Sequence, residues 1–557
     1  MDEWIGPTNY ISHHGVERPS PTTPLRIVTN SSLNNCGNCL NGCLVGGPNS
    51  LNPMLDIALR FRCHECGMVF DLTKAYNVLK TGLIERHLRR FVYRFSPKEE
   101  WQDFAFDTVA FGDLPAANFL EIGRDLTADA GMDIDEEAAE KIKRDSYVDD
   151  NISGGSFEAV ERMKGHKLGD GSFSGTMTQI LNLGKLKLKT IVSTGETDED
   201  AKALIGNKVL GYGWDGTCDD MLVNFPIHLS NKKKKARMDP PLTLEAFQLL
   251  PKSKITKRIC LGITNGFGDF LGVASPFSIR FKLLMKQLFE GGQKKLLWDD
   301  EVPGDARDAW IQLIAEAVET SSLCFPRSVR PDGAVGSPMI VGFSDGAFPA
   351  FCACIYIRWE IPCKHIVDEE CDGDFVATLL WAKAKVTPLS GYTVPRSELS
   401  GTVLMSRLAM TTVKALSCDT SMKPDRVVML TDSKCTVSVV EKSTSSLKPF
   451  FHNRVAELIE NTAVMRKLCQ VDDLHYVASE INPADLATRG GIKLKDIGPN
   501  SFWQKGPTFL CCRRDLWPIS RDFVSEEIPE EEIRTRRSFS FFLELAFSSS
   551  QLFPPFL

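Results

Sequence analysis

Residues 341–348 read VGFSDGAF, an apolar run that ends on a single acid, Asp345. Such a run predicts a strand that delivers a carboxylate at its C-terminal end. Phe351 to Arg358 follows with the alternation of a half-buried strand, so the two segments predict a hairpin with Asp345 at its first turn. Three more acids stand in comparable settings. Glu398 in PRSELSG opens a predicted helix with Leu404, Leu408 and Ala415 along one stripe. Asp432 in MLTDSK follows the β-rich run Val427 to Leu430, at the strand end where α/β sheets place their chemistry. Asp485 in NPADLATRG comes after a predicted strand, Leu474 to Val477, and a turn at Asn482 and Pro483. The order is β-β-β-α-β-α, with acids at strand ends and helix starts. One aspartate after a strand is more often a cap or turn former; four in this pattern suit a pair of Mg²⁺ ions about 4 Å apart, gripping the attacking and leaving oxygens of a phosphodiester.

The N-terminal half repeats the theme. MVFDLTKAY, Met68 to Tyr76, is an apolar strand carrying Asp71, and YVDD places Asp149 and Asp150 in a hairpin-like context. One acid on a strand and a pair at a turn can bracket two metal ions around an incoming triphosphate.

The four C-terminal blocks, spaced 53, 34 and 53 residues apart, resemble the RNase H-like domain of BEL/Pao-type LTR retrotransposon polyproteins, whose acids sit in FSDAS, IPRLELLG, WTDS and NPADLxSRG. The first spacing is lengthened by an excursion at 363–374, within a hairpin connection. The strand and YVDD acids resemble those of reverse transcriptases. Further blocks resemble the same family in order over residues 9–515: Asn9 to Asn30, Leu44 to Arg62, Phe106 to Phe119, VLGYGW at 209–214, Thr256 to Phe289, and Trp298 to Trp310. The resemblance implies an α/β and α+β multidomain chain. Its parts are right-hand-type fingers and palm (1–165), palm end with thumb or Pao-type connection (166–334), an RNase H-like α/β domain with a mixed sheet (335–495), and a junction with a disordered tail (496–557). It implies Asp71, Asp149, Asp150, Asp345, Glu398, Asp432 and Asp485 as catalytic metal ligands, two Mg²⁺ per site with Mn²⁺ as a substitute. It also implies substrate contacts from Gly112 and Pro115 in a template-gripping turn and from Gly211 and Trp214 in a primer-grip strand. Tyr76 matches the bulky side chain that excludes a ribose 2′-OH in the family, and equally suits a packed strand tyrosine. RNA/DNA hybrid, template RNA, primer and dNTPs are the implied partners.

The chain departs from that pattern in places. Asn30 replaces a usual acid, 96–131 is irregular, and the Gly- and Ser-rich run 165–187 reads as a flexible insertion. No D-[ST]-G protease triplet and no integrase is recognisable. A decayed nucleic-acid-binding remnant and an RNase H-only nuclease with a scaffold polymerase half are the alternatives.

At 557 residues and 43% hydrophobic, the sequence supports several cores. It opens without a signal peptide and has no run of about 18 apolar residues, which predicts a soluble cytoplasmic or nuclear protein that does not meet a membrane. The 17 cysteines suit reduced thiols, though Cys36, Cys39 and Cys43 with Cys63 and Cys66 leave a zinc site open, and Cys363, His365 and Cys371 form a weaker trio. Net charge is −7, yet local basic surface decides nucleic-acid binding. Lys232 to Lys235 with Arg237, Lys252 to Arg258, and Lys282, Lys286, Lys294 and Lys295 together read as a track for a hybrid duplex, recognised by its A-like shape and 2′-hydroxyls. Glu526 to Arg537 is a charge run before a Phe- and Ser-rich end, as in a polyprotein fragment with a poorly ordered tail.

Overall fold

The computed structural model describes residues 4–17, 24–34, 37–197, 204–205, 209–229, 255–290, 296–320, 322–362, 375–441, 446–521 and 528–533, with 199, 202, 242–243 and 245–246 between them. The chain separates into two units, Met1–Ala203 with Gly216–Asp219, and Leu204–Asp215 with Asp220–Leu557.

In the first unit, β1 (Ser12–Glu17) pairs antiparallel with β2 (Leu25–Asn30). The main sheet contains β3 (Cys66–Leu72), and a second ribbon pairs β4 (Arg90–Tyr93) with β5 (Gln102–Ala105). Completing the main sheet are β6 (Ser146–Tyr147), β7 (Asp150–Gly155) and β8 (Leu188–Ser193), in the antiparallel order β6-β7-β3-β8. Successive strand side chains point to opposite faces. Met68, Phe70 and Leu72 therefore enter the core formed with the helices Ala116–Ala130, Glu136–Arg144, Phe157–Lys164 and Thr176–Leu183, and Asp71 is left on the other face. Two sequence expectations fail here. The run 165–187 is no loose insertion, because its helix buries Met177, Ile180 and Leu181 completely. Likewise 96–131 contains a strand and the fifteen-residue helix Ala116–Ala130. Glycines and serines around Thr176–Leu183 hid the helical period of that stripe.

The second unit opens with β9 (Gly213–Asp215) and β10 (Asp220–Asn224), which join β11 (Ser322–Pro326) in a three-stranded sheet. The larger sheet is mixed. It runs β14 (Phe375–Val386), β13 (Ala350–Glu360), β12 (Val335–Gly346), β15 (Arg426–Thr431), β16 (Gln470–Val471), and β17 (His475–Tyr476) also pairs with β15. The first three strands are antiparallel and β15 runs parallel to β12. The helix Val394–Leu416 makes the crossover and packs on β12 and β13, with Pro449–Met465 beside it. β13 was expected to be half-buried, but every residue from Ala350 to Trp359 is buried. On one side lies the crossover helix; elsewhere the 499–517 segment covers the strand, with Arg358 donating to the carbonyls of Leu510 at 2.7 Å and Cys512 at 2.6 Å. That junction is built in: Trp503 is fully buried, and the Tyr356 hydroxyl donates to its carbonyl at 2.6 Å. Beyond it, Glu532 is buried against Arg396 at 2.5 Å, so part of the expected tail is packed. The α/β and α+β mixture implied by the sequence is the fold class found. No described helix is long and apolar enough to cross a membrane.

Candidate functional site

Asp345 occupies the penultimate position of β12 and is 8% exposed. The crossover helix meets it almost backbone to backbone. A Cβ built on Gly346 would lie 2.1 Å from the Glu398 nitrogen, and one on Gly401 would lie 2.7 Å from the Asp345 carbonyl oxygen. Both positions therefore require glycine, and together they seat Glu398 beside Asp345. Parallel pairing of β12 with β15 brings Asp432, the residue after β15, to the same sheet end. Asp485 lies in a 3₁₀ turn, Pro483–Ala487, which Asn482 ties to β12 by donating to the Ser344 carbonyl at 3.0 Å.

Each of these acids is held by a donor. Thr488 donates its hydroxyl to Asp345 Oδ2, and Ser433 donates to Glu398 Oε2 at 2.6 Å. Arg489 pairs with Asp485 at 2.5 Å, and Ser479 bonds the Asp432 side chain. Burial is the main cause that pushes the carboxyls of Asp345, Asp432 and Asp485 up, and the negative charge of Asp345 adds to it for the other two; Asp432 reaches about 6. Thr488, Arg489, Ser433 and Ser479 escaped the sequence reading, although the first three lie within its quoted motifs.

The first unit holds a second acidic centre. Asp71 on β3 and Asp150 on β7 are directly opposed in the antiparallel register, and Asp149 stands in the turn between β6 and β7. That turn holds Val148 at φ +59, a conformation costly for a β-branched residue. Burial first, then the charges of Asp149 and Asp71, raise the Asp150 carboxyl to about 6, and Asp149 is raised as well. Lys189 pairs with Asp71 at 3.1 Å. Tyr76 lies in a 3₁₀ turn with its ring edge against Phe111 at 5.6 Å, and burial together with the Asp149 charge lifts its phenol to about 12. Gly112 follows Phe111 at φ +106, and Pro115 caps the next helix.

Gly211 and Trp214 belong to the second unit. Gly211 takes φ +88, and Trp214 is fully buried. The basic track also changes: Lys257 and Lys286 are buried, Lys286 donates to Thr387 Oγ1 at 2.8 Å, and Arg258 forms a two-pronged pair with Asp299 at 2.9 Å. Lys232 to Lys235, Arg237, Lys252, Lys254, Lys294, Lys295, Cys36, Cys363, His365 and Cys371 lie outside the described residues. Of the remaining cysteines considered for zinc, Cys63 and Cys66 are buried, Cys39 is half-buried and Cys43 exposed.

Among the described residues, no three His, Cys, Asp or Glu side chains form a metal-holding group as they stand. The donor chemistry of both acidic centres nevertheless fits a hard divalent cation, being all carboxylate oxygen with ionisation opposed until positive charge arrives. Oxygens now occupied by Thr488, Ser433, Arg489 and Lys189 are the ones such a cation would compete for.

No curated protein matches the chain. Among solved structures, similar ones are foamy viral protease-reverse transcriptases. One in complex with double-stranded DNA is 12% identical with a TM-score of 0.43, covering 85% of this chain and 66% of that one, so this chain spans just under two thirds of its length. A second double-stranded DNA complex is 11% identical at TM-score 0.44, with coverage of 85% and 79%. The complex with RNA/DNA hybrid is 11% identical at 0.31, with coverage of 88% and 74%. Residues 256–433, which include Asp345, Glu398 and Asp432, match the family model described as Pao retrotransposon-like RNaseH-like domain, so about a third of the chain is similar to that family.

Proposed function

We propose that the second unit cleaves the RNA strand of an RNA/DNA hybrid and that the first extends a primer on an RNA template with dNTPs, each by Mg²⁺-assisted phosphoryl transfer. The observation that carries the nuclease reading is the convergence of Asp345, Asp432 and Asp485 at one sheet end, where the charge of Asp345 bears on both other acids. Asp345, Glu398, Asp432 and Asp485 would hold the cations in the second unit, and Asp71, Asp149 and Asp150 in the first. Bound there, a divalent cation supplies charge neutralisation and a more acidic water or 3′-hydroxyl. The chain's own groups do the rest. Thr488 and Ser433 fix the rotamers of Asp345 and Glu398, and the half-buried Asp432 keeps its site poised to ionise when positive charge enters. In the first unit Tyr76, wedged against Phe111 beside Asp149, forms a wall against which a sugar can be sorted.

Mg²⁺-dependent cleavage of a labelled hybrid, beside Asp345→Asn and Asp432→Asn, tests the nuclease. Cleavage lost in both variants supports it; folded wild-type protein that never cleaves sinks it. A second reading, a binding remnant without turnover, draws on the Lys189 ion pair with Asp71 and on the absence of a formed ligand group among the described residues. Hybrid binding with neither cleavage nor primer extension in Mg²⁺ or Mn²⁺ would favour it.

A further inference from the structure

Behind the last acid of the second unit the chain passes through two glycines, and a residue from a distant helix holds it there. Gly490 and Gly491 take φ +77 and +81 in succession, directly after Arg489. Two such permissive residues in a row give the backbone little rigidity of its own. On its N-terminal side the Asp485 turn is tied to β12 through Asn482. On its C-terminal side, just past the glycines, Arg280 Nη1 donates to the Ile492 carbonyl at 2.9 Å. The same nitrogen meets both oxygens of Glu316 at 2.9 Å. One guanidinium thus joins the helices Ser275–Glu290 and Gly304–Thr320 to the segment that follows Asp485 and Thr488.

The helix that bears Arg280 is itself registered on the sheet. Leu271, just before it, accepts from the Ala382 amide at 2.8 Å, and Gly272, at φ +67, comes so close that a Cβ there would lie 1.9 Å from the Ala382 oxygen. Ala382 belongs to β14, and β14, β13 and β12 are successive neighbours in the sheet that ends at Asp345. Within the helix Phe277, Ile279 and Phe281 are fully buried, and Phe281 meets Trp310 of the neighbouring helix edge to face at 5.9 Å. The two helices are therefore already packed by apolar contact, which leaves the Arg280–Glu316 pair, 17% exposed on each side, to orient the guanidinium toward the carbonyl. Shielding from water strengthens such charge-assisted bonds. Leu283, three residues on from Arg280, comes within 4.0 Å of where a Gly490 Cβ would be, so the helix also braces the glycine pair.

We propose that Arg280 is a positioning residue for the acidic centre. It clamps the chain behind the glycine pair and so fixes the turn that carries Asp485 and the Thr488 hydroxyl that holds Asp345. The helix that the sequence assigns to a thumb or connection segment is thereby part of the framework of the acids. The proposal rests on the nuclease reading for what the centre does, and stands apart from it for the clamp.

Amide hydrogen exchange of the full chain in chelator reads the clamp without metal or substrate. Arg280→Met, which keeps an apolar stem, should speed exchange over residues 483–492 roughly 10-fold and leave β12 and β15 unchanged. The Thr488 and Arg489 amides, which donate to the Asp485 carbonyl, report the turn itself. Arg280→Lys, whose single ammonium carries donors for the same acceptors, should recover most of the protection. In Mg²⁺, hybrid cleavage by Arg280→Met should need roughly 10-fold more metal for its half-maximal rate, with the lysine variant nearer to wild type. Unchanged exchange over 483–492 overturns the proposal, as does a lysine variant no better than the methionine one. Faster exchange across the whole unit also overturns it, by making the pair a general strut. So does local loosening with an unaltered Mg²⁺ requirement, which leaves the clamp without a role at the acids. If no protein cleaves, wild type included, local loosening that lysine reverses upholds the clamp, and only the nuclease reading falls.

Discussion

Asp432 shows what a single residue of the acidic centre costs the fold. Burial and the Asp345 charge raise its carboxyl from the ordinary 3.8 to about 6, so the folded chain holds this proton more tightly than the unfolded chain does. The stabilisation is fully present below the unfolded value and is lost as pH climbs through about 6. Asp432→Asn removes that titration. In chelator, thermal melts should place the variant above wild type at pH 7, with the gap closing toward pH 4; a gap independent of pH would refute the assignment. Adding Mg²⁺ at pH 7 should raise the wild-type midpoint more than that of the variant. The acids themselves were legible, because each ends an apolar run or opens a helix within a quoted motif. Their hydroxyl partners were not: Thr488 lies 143 residues from Asp345 and Ser433 lies 35 from Glu398, and no local pattern announces such a pairing.

At the scale of elements, glycine determines whether the crossover helix can reach its strand. Gly346→Ala would drive a methyl into the Glu398 backbone, and because the obstacle is main chain the helix start must shift. Overpacking of this kind costs about 1–3 kcal/mol. The displacement of Glu398 should cut hybrid cleavage by more than the stability loss explains, checked by comparing urea midpoints with rates in the folded range. The first unit offers the complementary case. Ile180 in Thr176–Leu183 is fully buried and packs where a Cβ on Gly131 would meet it at 2.5 Å. Ile180→Ala should cost about 2–4 kcal/mol in urea unfolding; a change near zero would restore the flexible reading of 165–187. Strands β12 and β15 were readable from β-branched runs, whereas β13 was misjudged because Ala, Cys and Tyr alternate in type without alternating in burial. Periodicity reports chemistry, and burial on the second face comes from chain that arrives about 150 residues later.

For the whole molecule, the basic runs of the sequence do not mark where its charge is exposed. Lysine runs were the visible signal, yet Lys257 and Lys286 are buried and Arg258 is paired with Asp299. The division into two units, each with its own sheet and its own acidic centre, leads to a last prediction. Asp150 belongs to a hairpin packed within the first unit, and Asp345 to a strand whose partners are all in the second. Neither side chain contributes to the other core. Asp345→Asn should therefore abolish hybrid cleavage, by a factor of at least about 100 for loss of an electrostatic group that acts in the transition state, and leave primer extension within about twofold. Asp150→Asn should do the opposite, since its charge is felt by Asp149 and Asp71 and by nothing in the second unit that the pairing reaches. Paired assays on one preparation of each variant, with the unfolding midpoint as the control for folding, read the outcome directly. Loss of both activities in either variant would mean that the two centres act on one shared substrate path, and the units could no longer be treated as chemically independent.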